Sequence, residues 1–364
     1  SHFILCVDDN ACRTLEMSEV HSESRSIVQV ILIWVFALFW SAVTCVRLAI
    51  EWFKHRDTFF EVKEHLKPNV LDGWTHESAQ LSEVKLHYVE AGDMDHPLML
   101  MLHGFPEFWY SWRYQIRYFQ KNHHVVAVDM RGYNESDKPE GIENYHMSVI
   151  AKDIKELISA LNHEKAILVG HDWGASIAWK VAAEYPEVVE KLIVLNCPHP
   201  RVFMQLLRTN FAQMMKSWYM VLFQMPSLPE FMCKANDYKM LKDAFRSEKT
   251  GIKKKEHFTD EDEKAWLFTY SQPNAFTAPI NYYRAGLSKS DESIMPSSLI
   301  KPKTLIIWGT QDAFIEKCAA DMSTKYCEVA EVHFVVGASH WVQQDDPDAV
   351  NTCIEKFISE ISVN

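Results

Sequence analysis

Ala166-Ile167-Leu168-Val169-Gly170-His171-Asp172-Trp173-Gly174-Ala175-Ser176 decides the fold of this chain: a short apolar run ends in Gly-x-Asp-x-Gly, and Ile177 to Ala183 continue with helix-favouring residues. The run has the length and branching of a strand buried on both faces, and the small and straight-chain residues beyond the turn suit a helix. A turn this tight pushes its apex towards positive φ and crowds the positions two away, so both flanks must be small. Gly170 and Gly174 meet that demand, and Asp172 occupies the apex. This is the nucleophile-elbow pattern of serine hydrolases with a carboxylate in place of the hydroxyl. A carboxylate is already ionised at neutral pH and can attack a saturated carbon directly, giving an alkyl ester of the enzyme. Water must then cleave that ester at the carboxyl carbon, so a general base and an oxyanion site are still needed.

Upstream, Leu98–Leu102 reads as a buried strand entering His103-Gly104-Phe105-Pro106-Glu107, where Gly and Pro bracket one residue whose amide can face outward. The Phe105 N–H is the first candidate oxyanion donor, and the Trp173 N–H, next to the nucleophile, is the second. Val84, Leu86 and Tyr88 alternate like an exposed edge strand, Val125–Val128 is another buried strand, and Ser148–Leu161 has helical spacing. Leu192–Leu195, Thr304–Trp308 and Val332–Val336 complete the strands, and a helix over 347–361 closes the chain. Such alternation implies an α/β fold with a mostly parallel sheet covered by helices. It stops between Cys197 and Leu287, where aromatic residues, methionines and prolines predict an inserted helical cap over the carboxyl ends of the strands.

Two loops after strands complete the chemistry. Gly309-Thr310-Gln311-Asp312 and Gly337-Ala338-Ser339-His340 give Asp172, Asp312 and His340 in the nucleophile, acid, base order of the α/β-hydrolase triad. His340 would take a proton from water while Asp312 holds its other nitrogen.

The 364 residues suffice for one large α/β domain with an insertion, and the net charge of -12 without a basic stripe excludes a nucleic-acid partner. The eight cysteines show neither disulfide-scaffold nor metal spacing, and an odd five of them fall after residue 190, which suits a reducing compartment. Residues 1–26 read as a disordered tail. Residues 27–46 carry no charge and would span about 30 Å as a helix, enough for a single-pass membrane anchor. Residues 47–80 then form a juxtamembrane linker, and the hydrolase core occupies 81–196 and 288–364 around the cap at 197–287. Arg47, Lys54, Arg56 and Lys63 come after the apolar run while Arg13 and Arg25 precede it, which favours a cytosolic catalytic domain, with the endoplasmic reticulum as the expected membrane. A sugar on the sequon Asn134-Glu135-Ser136 would reverse that orientation.

From about residue 80 onward the chain resembles the epoxide hydrolases of the α/β-hydrolase superfamily, especially the membrane-anchored epoxide hydrolase 4 group. The likeness rests on His103-Gly-Phe-Pro-Glu-Phe-Trp-Tyr-Ser-Trp-Arg113, Gly170-His-Asp-Trp-Gly174, Trp308-Gly-Thr-Gln-Asp-Ala-Phe314 and Ala338-Ser-His-Trp-Val-Gln-Gln344. It implies conversion of an epoxide to a diol without metal or cofactor, and two cap tyrosines that hydrogen-bond the epoxide oxygen; the aromatic and Met-rich cap and the anchor suggest that the epoxide is hydrophobic. Tyr283, in Pro279-Ile-Asn-Tyr-Tyr-Arg284, and Tyr219, in Ser217-Trp-Tyr-Met-Val-Leu-Phe-Gln224, match them. His103, Pro106, Trp109 and Trp341 are then expected to line the substrate pocket. Asn134 departs from a glycine common at that loop position. The rival readings are a haloalkane or haloacetate dehalogenase of the same fold and an inactive lipid-binding membrane protein.

Overall fold

The computed structural model describes residues 27–61, 63–287 and 298–360. The tail expected at 1–26 lies outside them, as does the beginning of the second core segment. Helix α1 (Ile27–Lys54) runs beyond the expected anchor at 27–46 by continuing through Arg47 and Glu51. Its Ile31–Lys54 part is long and apolar enough to cross a membrane, with a mean hydropathy of 2.0.

Eight strands come next: β1 (Thr75–Gln80), β2 (Lys85–Ala91), β3 (Leu98–Leu102), β4 (His124–Val128), β5 (Ala166–His171), β6 (Val189–Leu195), β7 (Lys303–Gly309) and β8 (Ala330–Val335). They form one sheet in the order β1-β2-β4-β3-β5-β6-β7-β8. Strand β2 is antiparallel to both its neighbours, while β4-β3-β5-β6-β7-β8 pair in parallel. Every residue of β3, β4 and β5 is buried. Each large apolar side chain hidden this way contributes about 1.5–3 kcal/mol relative to exposure.

The structure corrects two expectations. Val84, Leu86 and Tyr88 do not belong to the sheet's edge; they are buried, and β1 covers that side. The edge strand is Thr75–Gln80, Thr-His-Glu-Ser-Ala-Gln, whose mostly exposed polar residues carry no alternation to reveal it. The linker expected at 47–80 is therefore helix at one end and sheet at the other.

Helices α2 (Arg113–Phe119), α3 (Met147–Ala160) and α4 (Trp173–Glu184) belong to the core. The cap comprises α5 (Pro200–Thr209), α6 (Phe211–Lys216), α7 (Trp218–Leu222), α8 (Leu228–Arg246), α9 (Asp260–Ser271) and α10 (Thr277–Gly286). Helix α8 is broken at Ala235–Tyr238, where Asn236, Asp237 and Tyr238 have positive φ. The core closes with α11 (Cys318–Ser323), α12 (Val342–Asp345) and α13 (Pro347–Ser359). The cap lies over the carboxyl ends of the parallel strands, where loops after β3, β5, β7 and β8 converge.

Candidate active site

Asp172 sits between β5 and α4 with φ 50° and ψ -121°. Close packing enforces this turn. A Cβ on Gly174 would lie 2.2 Å from the Leu102 carbonyl oxygen, and one on Gly170 would lie 2.6 Å from Ala175 Cα. A Cβ on Gly104 would lie 2.3 Å from Asp172 Oδ1, so the turn after β3 can approach the carboxylate only as glycine. That approach lets the Phe105 N–H donate to Asp172 Oδ1 at 2.9 Å, beside a cis Phe105-Pro106 bond. Trp173 is the first residue of α4, so its N–H lacks an intrahelical acceptor and joins the positive end of that helix.

The other carboxylate oxygen faces His340: His340 Nε2 lies 3.5 Å from Asp172 Oδ2, and His340 Nδ1 lies 2.8 Å from Asp312 Oδ2. Asp312 also accepts from Asn196 Nδ2 at 2.7 Å and from the amides of Phe314 and Ile315. Asn196 in turn accepts from the Gly309 amide, tying the end of β6 to the end of β7. Burial works against charge on all three groups, yet the mutual pairing wins. Asp172 and Asp312 are both held below the usual carboxylate range by His340, and His340 is raised to about 10 by the two carboxylates. The resting pair of carboxylates thus encloses an imidazolium. The Asp172 side chain keeps 16 % of its surface accessible, so a space remains in front of the nucleophile.

Aromatic rings of the cap wall that space. Tyr283 meets Trp173, Phe105 and Phe223 with ring centroids 5.0, 5.7 and 4.9 Å apart, and Tyr219 meets Tyr283 at 5.8 Å. Burial raises both phenols well above their ordinary range, and the Asp172 charge raises them further. At neutral pH both phenols therefore keep the proton that a hydrogen-bond donor needs. Phe314, between Tyr219 and His340, completes the wall.

Sequence reasoning missed the network behind these groups. Glu107 is fully buried and accepts from Gly104 N, His171 Nδ1, Gln343 Nε2 and Gln344 Nε2. His171 reaches Glu107 at 2.6 Å and the His340 carbonyl at 2.8 Å. His171 thus bridges the Glu107 carboxylate and the His340 carbonyl in the buried interior. It ties the turn after β3, the elbow and the base loop together. Glu107 and His171 lie inside the quoted motifs, but nothing in their spacing announces that they pair.

The four residues expected to line the pocket each make contacts within the fold. His103 accepts the Met130 amide on Nε2 and donates from Nδ1 to the Gly104 carbonyl, which commits both nitrogens to bracing the turn. Trp109 packs against Trp74 and His76, away from the triad, because its amide is held by Asp129. Pro106 is buried and gives its carbonyl to Trp266 Nε1. Trp341, 1 % exposed, donates to the Ala244 and Thr250 carbonyls and supports His340 from the side. Asn134 takes positive φ and donates to Asp129, so its amide nitrogen is engaged in the fold.

The chain matches the alpha/beta hydrolase fold family over residues 97–347. It is 46 % identical to human "Epoxide hydrolase 4" over 281 residues, 77 % of either chain. With "Epoxide hydrolase 2" of Caenorhabditis elegans it shares 41 % identity over 315 residues, 86 % of this chain and 88 % of that one. The chain belongs to the epoxide hydrolases of the α/β-hydrolase family. Among solved structures, the Bacillus megaterium epoxide hydrolase bound to an inhibitor superimposes with a TM-score of 0.72 at 35 % identity, covering 78 % of this chain and all of that one. For this epoxide hydrolase the dehalogenase and idle lipid-binding readings fall away, since its relatives at this similarity carry the epoxide-hydrolase name.

Proposed function

We propose that the protein converts hydrophobic epoxides to vicinal diols through an ester on Asp172. Asp172 Oδ2 attacks one oxirane carbon and the C–O bond to the ring oxygen breaks. Tyr219 and Tyr283 donate to that oxygen, which matters because an alkoxide is a poor leaving group. Esterification removes the negative charge of Asp172. His340 then faces one carboxylate instead of two, its affinity for the proton drops, and the proton it held can neutralise the product alkoxide. The neutral ring accepts a proton from water, whose oxygen attacks the Asp172 carboxyl carbon. Negative charge collects on Oδ1, beside the Phe105 and Trp173 amides. Breaking the ester C–O bond expels the second oxygen as an alkoxide, which takes the proton of the newly added hydroxyl; the diol leaves, the carboxylate is restored and His340 keeps the proton it took from water.

The observation that carries this reading is the division of the carboxylate: one oxygen on the Phe105 amide, the other open beside His340. A single turnover in ¹⁸O-water with mass spectrometry of the protein should place label in Asp172. Label only in the diol would rule the ester out.

We further read α1 as a single-pass anchor in the endoplasmic reticulum membrane, with the catalytic domain in the cytosol. Protease digestion of sealed microsomes should then remove the catalytic domain, and protection would place it in the lumen.

A further inference from the structure

Helix α1 does not stand clear of the catalytic domain. Ala37, Ser41 and Thr44, spaced for one face of a helix, are buried, and α1 packs against α7 and α8 of the cap. Trp40 stacks on Trp218 of α7 with ring centroids 5.0 Å apart. On the faces turned away, Ile31, Leu32, Trp34, Val35, Phe36, Leu38 and Phe39 are all exposed.

These contacts fall within the apolar run and spread from Ala37 to Thr44, which stands three residues before Arg47. Ala37 precedes Arg47 by ten residues, roughly 15 Å along a helix. The hydrocarbon core is about 30 Å thick, so an α1 that crosses it carries its cap contacts from near the surface at Thr44 to about halfway in at Ala37. The cap surface beside α1 also exposes apolar side chains. Phe211, Met214 and Met215 of α6 are exposed, as are Phe231 of α8 and Phe60 just after α1, whose rings lie 6.4 Å apart. Arg208, at the end of α5, is exposed beside them and long enough to reach head groups.

We propose that the α6–α7 face of the cap is sunk into one leaflet of the bilayer that α1 crosses, so that hydrophobic substrate enters the active site from lipid. The inference rests on reading α1 as the membrane anchor. Consecutive residues of α7 show the short route: Trp218 lies on α1, while Tyr219 meets Tyr283 in the site. One helix of five residues separates the membrane helix from the reacting groups.

The test places the photoreactive residue p-benzoylphenylalanine singly at Phe39, Phe211, Phe231 or Tyr118 of the full chain in phosphatidylcholine vesicles. Retained turnover of a water-dissolved epoxide checks folding, and mass spectrometry identifies the adducts. Tyr118 is exposed on the core and serves as the dry control. Lipid adducts at 39, 211 and 231 but not at 118 are expected. Adducts at 39 without adducts at 211 and 231 would overturn the immersed cap and leave the anchor standing. No lipid adduct at 39 would remove the anchor and the proposal with it. Cross-links from 211 to a second copy of the chain would assign that face to self-association instead.

Discussion

The two halves of the active site are built by different physics. On the sheet side, Asp172, His340, Asp312, Glu107, His171 and Asn196 are joined through hydrogen bonds of 2.6 to 2.9 Å, several of them to carboxylates, with 3.5 Å between His340 and Asp172. On the cap side, Tyr219, Tyr283, Phe223 and Phe314 meet edge to face, an arrangement of shallow minima. Covalent steps need reacting atoms placed within a few tenths of an ångström, and strand ends can supply that. Binding an apolar substrate of variable shape asks for surfaces that adjust. Under the proposed mechanism the sheet governs the order of the reaction and the cap the choice of substrate, so variants on the two sides should fail in different ways.

The strongest challenge to the rigid half is Gly104→Ala. Its Cβ would overlap the Asp172 side chain, and activity should drop by about 10³-fold or more for every substrate, as loss of an oxyanion donor does. A protein that keeps its fold by circular dichroism and most of its turnover would show that the turn is not held this closely. His340→Gln should slow ester hydrolysis by about 10²–10⁴-fold while leaving the first attack, so the alkyl-enzyme accumulates in the mass spectrum. Fast steady-state turnover by this variant would remove His340 from its role.

Tyr219→Phe and Tyr283→Phe should each slow ester formation by about 10–10²-fold and leave hydrolysis of a preformed ester unchanged. The loss should vary with the substrate, and a uniform loss across an epoxide panel would erase the contrast between the halves. The smallest effect concerns stability. His340 is raised in the folded state, so its contribution is complete below about 6.5, the unfolded value, and is lost as pH rises through about 10. Asp172 and Asp312 are lowered, so theirs is present above the unfolded carboxylate range and fades in acid. Denaturant midpoints of the wild type should therefore fall towards pH 10 more steeply than those of His340→Gln. Parallel curves would show that the imidazolium is not bound as tightly as its two partners imply.

Much of the sheet side was legible because its demands are local. A turn that admits only small neighbours writes itself as Gly170 and Gly174, and fully buried strands write themselves as apolar runs. Thr75–Gln80 was illegible because an edge strand with a solvated outer face needs no pattern; its partner β2 holds it through the backbone. The partners of His103 and Trp109 were illegible because a motif reports which residues occur together and says nothing of which way each side chain turns.

By itself the sequence determined the α/β order, the elbow with its carboxylate, and the succession Asp172, Asp312, His340, since each arises from short-range sterics and chain order. Only the tertiary structure decided that Glu107 pairs with His171, that Asn196 holds Asp312, and that α1 lies along the cap. Those contacts join residues 64, 116 and about 180 positions apart, and no local conformational preference encodes a partner so far along the chain.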